Sequence, residues 1–166
     1  ALPILGIDSL TVTVNAVDPA IEAQICAGIF YHGKRYVGTE AAEILIRNQL
    51  AGIEKVSQSG ITVKVNTVLI PEINAEHVPE VAKTVASRGA KIYNIIPLIP
   101  QHKLSWCSEP GCELLSKARA EAEKYIDVFR HCQRCRADAA GIPGGRDVSD
   151  KVYIRPIKAE NTFSHG

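Results

Sequence analysis

The chain has 166 residues, 46% of them apolar and 22% charged, with a formal net charge of +1. That balance suits one globular domain, excludes a disordered tail, and gives no general reason to expect nucleic acid or an anionic membrane as partner. No apolar run approaches the ~20 residues of a membrane span and the first residues are not a secretory signal, so the expected location is the cytoplasm. Five cysteines at irregular spacing suit thiol or metal chemistry in a reducing compartment better than a disulfide framework. No methionine occurs, at position 1 or elsewhere, so the chain reads as a fragment of a longer protein.

Residues 10–17 alternate apolar and polar and are rich in β-branched side chains, which predicts a strand ending at Asp18-Pro19, with Leu10, Val12 and Val14 on one face. A short helix through Ile21, Ile25 and Ile29 is expected next, with Cys26 as a small core residue inside its stripe. Residues 31–38 read as a loop. Thr39 is a good N-cap for a helix whose apolar positions Ala42, Leu45, Ile46, Leu50, Ile53 and Val56 recur at helical spacing, and Gly60 is placed to end it. A second two-faced strand is expected over residues 61–70, with Ile61, Val63 and Val65 on one side and Thr62, Lys64, Asn66 and Val68 on the other.

Asn74 can cap a third helix with the stripe Val78, Val81, Ala82 and Val85, where Pro79 is tolerable in the first turn. Gly89 ends that helix and a third strand follows over residues 90–99. A last helix is expected from about Glu113 to Phe129. After Gly141 the Gly-Pro-Gly-Gly run signals loss of regular structure. The spacing Gly60-x8-Leu69-Ile70-Pro71 is repeated as Gly89-x8-Leu98-Ile99-Pro100, so consecutive βα units and a parallel sheet or barrel sector are expected.

In barrels the C-terminal strand ends form the active face, which would turn Asn15, Asn66 and Asn94 toward one pocket. The plainer alternative is that each asparagine ties down its own loop. The second chemical signal is Arg130-His131-Cys132-Gln133-Arg134-Cys135-Arg136, where two thiols three residues apart sit among cations that favour the thiolate. A thioredoxin-like role fits poorly, because that motif opens a helix after a strand whereas this pair is expected to follow a helix. Structural zinc, with Cys107 and Cys112 completing four thiolates, and an iron–sulfur cluster, with His131 as accessory ligand, both remain open. His32, His77, His102 and His165 sit in polar loops or helix starts and receive no role; Trp106 reads as a loop anchor. No P-loop, G-x-G-x-x-G, H-E-x-x-H or G-x-S-x-G is present.

The segments Val12-Thr13-Val14-Asn15-Ala16-Val17-Asp18-Pro19, Val63-Lys64-Val65-Asn66-Thr67-Val68-Leu69-Ile70-Pro71, Asn94-Ile95-Ile96-Pro97-Leu98-Ile99 and His131-Cys132-Gln133-Arg134-Cys135-Arg136-Ala137-Asp138-Ala139 resemble the NifB family, radical SAM maturases of nitrogenase cofactor biosynthesis. The resemblance covers roughly residues 5–142. It implies an α/β fold, a partial (β/α) barrel of the radical SAM type with about three βα units and an irregular C-terminal extension. Residues 1–142 would be the C-terminal part of the radical SAM core and residues 143–166 a tail or linker. It further implies S-adenosylmethionine and [4Fe-4S] clusters as cofactors, with Asn15, Asn66, Val68 and Asn94 holding S-adenosylmethionine and Cys132 and Cys135 ligating a substrate cluster. The implied reaction fuses two [4Fe-4S] clusters with carbide and sulfur insertion to give NifB-co, with cluster substrates and carrier or scaffold proteins of nitrogenase assembly as partners. The family's radical-initiating C-x3-C-x2-C does not occur in residues 1–166, nor do its N-terminal cluster-binding cysteines, so this chain alone should not start a radical. Glu72 stands where a glycine is usual, a departure expected to matter only to its own loop. The alternative is a non-catalytic zinc- or iron–sulfur-binding module built on Cys132 and Cys135.

Overall fold

Four strands and three helical connections build a parallel sheet in the computed structural model, which describes residues 6–130. Strand β1, Ser9–Thr13, leads through a two-helix connection to β4, Thr62–Leu69. Helix α3, Val78–Ser87, then leads to β5, Ile92–Pro97, and helix α4, Cys112–Ala122, to β6, Asp127–Val128. The order in the sheet is β1-β4-β5-β6, and each neighbouring pair is parallel. This is the α/β sector of a (β/α) barrel, with consecutive βα units laid side by side.

The strand period puts Val63, Val65, Thr67 and Leu69 of β4, and Tyr93 and Ile95 of β5, on the buried, helix-covered face. They meet Val78, Val81, Ala82 and Val85, the stripe read from the sequence of α3. Removing a side chain such as Leu69 from water contributes about 1.5–3 kcal/mol, so this cluster is the main source of stability. Polar groups within it are satisfied internally: Tyr93 Oη donates to Thr67 Oγ1 at 2.7 Å and Thr67 donates to the Val14 carbonyl. A second, smaller cluster of Ile70, Leu98 and Cys107 lies beyond the C-terminal strand ends, with Ile25, Val68, Ile73 and Leu104 packed against it.

The β1–β4 connection differs from the sequence expectation. Helix α1 spans only Pro19–Ile25, with Asp18 Oδ1 accepting from the Ala20 and Ile21 backbone N–H groups at 2.7 and 3.2 Å. Ile29, expected on the helical stripe, opens a hairpin: β2, Ile29–Tyr31, pairs antiparallel with β3, Lys34–Tyr36. His32 and Gly33 both have positive φ, 49° and 77°, which matches the tight turn that joins twisted strands and explains a hairpin where a loop was expected. Cys26 is therefore not a helical core residue: it is half-buried just past the helix end, with Sγ directed to the Gly28 carbonyl at 3.7 Å.

Helix α2 runs Gly38–Ser57, so Thr39 lies inside it and no side chain caps its start. Its inward residues are Ala42, Ile46 and Ile53, as the periodicity predicts, and Glu40 and Lys55 lie at the ends where the helix dipole favours them. The last helix is the larger correction. It ends at Ala122, and the chain turns to place Val128 beside Tyr93 in β6, with Phe129 N–H donating to the Tyr93 carbonyl at 2.7 Å. Pairing the free edge of β5 outweighs continuing the helical stripe toward Phe129. The position-based argument against a thioredoxin-like Cys132–Cys135 pair falls with it, because a short strand and not a helix precedes that segment. Residues 131–166, with Cys132, Cys135, His131, His165 and the expected boundary near 142, lie outside the described residues.

Candidate cofactor-binding face

The face of the sheet turned away from the helices carries Thr11, Thr13 and Asn15, then Lys64, Asn66 and Val68, then Ile92, Asn94 and Ile96. Asn66 and Asn94 are direct cross-strand partners, and Asn94 Nδ2 donates to Asn66 Oδ1 at 3.2 Å. Asn94 is 2% exposed, and its Oδ1 has no hydrogen-bond partner among the described residues. A buried amide oxygen left without a donor is costly, on the order of 1–3 kcal/mol, unless a ligand N–H or O–H reaches it. Lys64 Nζ lies 4.2 Å from the Phe129 ring centre, where the ring face draws the cation to the strand's lower half.

Asn15 is not at the same depth. Thr13 pairs with Asn66, so Asn15 is level with Val68, two residues further toward the C-terminal end. Its Oδ1 accepts from Val68 N–H at 3.0 Å, bridging the ends of β1 and β4. The structure thus brings Asn66 with Asn94 and Asn15 with Val68, one pair above the other on one face.

Residues without an assigned role complete this end of the sheet. Asn74, expected as a helix cap, makes no cap bond: its fully buried side chain bonds Ile70 N–H, the Asn15 carbonyl and the Val68 carbonyl. His77 Nε2 accepts from Val17 N–H at 3.1 Å, and burial pushes the imidazole pKa down despite Asp18 and Glu80 nearby. Glu22, 2% exposed, has its carboxyl pKa raised to about 7 by burial, with a hydrogen bond from Ala16 opposing the rise. Neither His77 nor Glu22 had a signal in the sequence, since both depend on how the chain turns after β1.

The loop after β5 is anchored by Cys107, which is buried, and not by Trp106, which is 64% exposed. Glu72 accepts from Ser108 N–H at 2.9 Å, and the bonds from Ser108 hold its carboxyl below the ordinary range. It therefore ties the turn after β4 to the loop after β5 and matters beyond its own loop. Burial first, then Glu72 beside it, pushes the Cys107 thiol up, which disfavours a thiolate ligand there. Cys112 is exposed at the start of α4, and no cluster of three or more metal-ligating side chains occurs among the described residues.

Comparison with known proteins agrees with this architecture. The FeMo cofactor biosynthesis protein NifB of Methanocaldococcus jannaschii is 45% identical over 159 residues, covering 96% of this chain and 53% of that protein. NifB of Bradyrhizobium diazoefficiens is 46% identical over 144 residues, covering 83% of this chain and 29% of that protein. The chain is a relative of NifB. It spans about half the length of the Methanocaldococcus relatives it matches. No family model matches it. Among solved structures, a domain of the pyruvate-formate lyase-activating enzyme from Bacteroides vulgatus superposes with TM-score 0.53 at 17% identity, covering 74% of this chain and 66% of that one. At that identity the likeness concerns the fold alone, and the fold of this NifB relative is the α/β partial barrel with a parallel sheet expected from its sequence.

Proposed function

We propose that this chain supplies the S-adenosylmethionine-holding strands of a NifB-type radical SAM maturase acting in nitrogenase cofactor biosynthesis. The observation that carries the proposal is the Asn66–Asn94 pair on the open face, with the buried Asn94 Oδ1 awaiting a donor, in a chain 45% identical to a NifB. The residues fit the group. Asn94 offers an acceptor to an N–H or O–H donor, and Val68 offers an apolar surface backed by Ile70 and Leu98. Asn15, whose oxygen is held by Val68 N–H, keeps its amide N–H groups as donors. When bound, S-adenosylmethionine on its [4Fe-4S] cluster supplies a 5′-deoxyadenosyl radical; this chain's residues bind and orient the cofactor and exclude water from it.

The finer reaction, fusion of two [4Fe-4S] substrate clusters with carbide and sulfur insertion to give NifB-co, belongs to the same proposal, as do cytoplasmic location and hand-over to carrier or scaffold proteins of nitrogenase assembly. Cys132 and Cys135 would ligate a substrate cluster. Among the described residues no helix is long and apolar enough to cross a membrane.

The test is anaerobic incubation of the full gene product with S-adenosylmethionine and a low-potential reductant. The expected outcome is 5′-deoxyadenosine formation by a protein with iron–sulfur absorption. Bound zinc with neither would contradict the proposal and favour the non-catalytic metal module.

A further inference from the structure

The ladder between β1 and β4 ends at Thr13 and Asn66, with one further bond from Val14 N–H to the Asn66 carbonyl at 2.9 Å. Beyond that point the twist of a parallel pair would let the two strand ends diverge. Three side chains span the gap: Thr67 Oγ1 donates to the Val14 carbonyl, Asn15 Oδ1 accepts from Val68 N–H, and Asn74 alone bonds the backbone of both strand ends. Asn74 Nδ2 donates to the Asn15 carbonyl at 2.9 Å and to the Val68 carbonyl at 2.8 Å, while its Oδ1 accepts from Ile70 N–H at 2.8 Å. The turn after β4 is already closed by the Ile73 and Asn74 backbone N–H groups donating to the Ile70 carbonyl at 3.1 and 3.0 Å. The two donated bonds do something else: they join the backbone of Asn15 to that of Val68, which Val68 N–H already bridges through Asn15 Oδ1.

The residue type is narrowly determined. Two donors and one acceptor on a two-carbon stem are available from asparagine; aspartate lacks the donors, glutamine is a methylene longer, and leucine fills the volume with no bond. Asn74 is fully buried, so it touches no cofactor itself.

We propose that Asn74 is a positioning residue for the S-adenosylmethionine site, fixing the spacing of the β1 and β4 ends so that Asn15 and Val68 meet the cofactor as one rigid edge. This rests on the assignment of Asn15 and Val68 to that cofactor. The preorganisation removes the need to order two strand ends at the moment of binding.

The test is equilibrium binding of S-adenosylmethionine to the full gene product, with thermal midpoints measured on the same samples. Asn74→Asp keeps the volume and the acceptor for Ile70 N–H but loses both donors. Asn74→Ser, uncharged and with one short donor, is carried alongside because a buried carboxylate can prevent folding. Each folded variant is expected to bind about tenfold more weakly or worse. Val81→Ala, in the buried stripe of α3 and with no hydrogen bond to the β1 end, is expected to lower the midpoint at least as much and leave affinity unchanged. The double variant of Asn15→Ala with Asn74→Ser should weaken binding by less than the product of the single effects, because the two act through one contact. Wild-type affinity in both Asn74 variants while Asn15→Ala is weakened would overturn the proposal, as would equal losses in Val81→Ala or multiplicative effects in the double variant. Wild-type affinity in Asn15→Ala would instead overturn the cofactor assignment itself, and this inference with it.

Discussion

Glu22 and His77 flank the corner after β1 and titrate in opposite senses. Glu22 has a folded pKa of about 7 against an ordinary 4.5, so the unfolded chain releases its proton first; the associated stability is full below pH 4.5 and is lost as pH rises through about 7. At about 1.36 kcal/mol per pKa unit the loss is bounded near ~3 kcal/mol. His77 has a lowered folded pKa, so its contribution is full above the ordinary 6.5 and is lost as pH falls below that value. Protonated Nε2 can no longer accept from Val17 N–H. Comparing Glu22→Gln with wild type isolates the carboxyl: the variant's thermal midpoint should exceed wild type at pH 8 and approach it at pH 5. A difference independent of pH would mean that the carboxyl is not desolvated. At this scale the sequence said little. Asn15, Asn66 and Asn94 were legible as one set near the strand ends, but not which two would pair: Asn66 lies six residues after Gly60 and Asn94 five after Gly89, and the register that joins these two and sets Asn15 two residues further along is written in no local pattern.

At the scale of elements, long periodic segments were legible and short ones were not. The stripes of α2 and α3 and the alternation of β4 occur as expected, because each is repeated enough to bury a full face. The hairpin was hidden: its strands have three residues each, Phe30 is 79% exposed, and its stability comes from the turn and its base. That base depends on Gly28, whose φ is +146° and where an added Cβ would lie 2.7 Å from the Tyr36 carbonyl oxygen. Gly28→Ala should therefore cost about 1–3 kcal/mol in denaturant unfolding and open the segment between α1 and α2 to proteolysis. Unchanged stability and protection would show that the hairpin base is not closely packed. The helix expected up to Phe129 fails for a different reason: helical spacing continued in the sequence, while an unpaired edge of β5 offered a better use for Asp127 and Val128.

At the scale of the molecule, the parallel sheet buries one face under helices and leaves on the other the Asn66–Asn94 pair and, beyond it, Asn15 bonded to Val68. That division was legible from alternating strands and helices and from a repeat of glycine and proline punctuation. What the pattern could not carry was the role of Asn74 and Glu72 in joining neighbouring βα units, because the bonds from Asn74 to the Asn15 carbonyl and from Ser108 N–H to Glu72 form only once those units are side by side. The face turned away from the helices is proposed to hold S-adenosylmethionine through Asn94. The most direct test of this proposal is equilibrium binding of S-adenosylmethionine to the full gene product and to Asn94→Leu, which keeps the volume and removes the waiting acceptor. Saturable binding by the wild type, weakened about tenfold or more in a folded Asn94→Leu, is the predicted result; no binding by the wild type, or equal affinity in the variant, would contradict it.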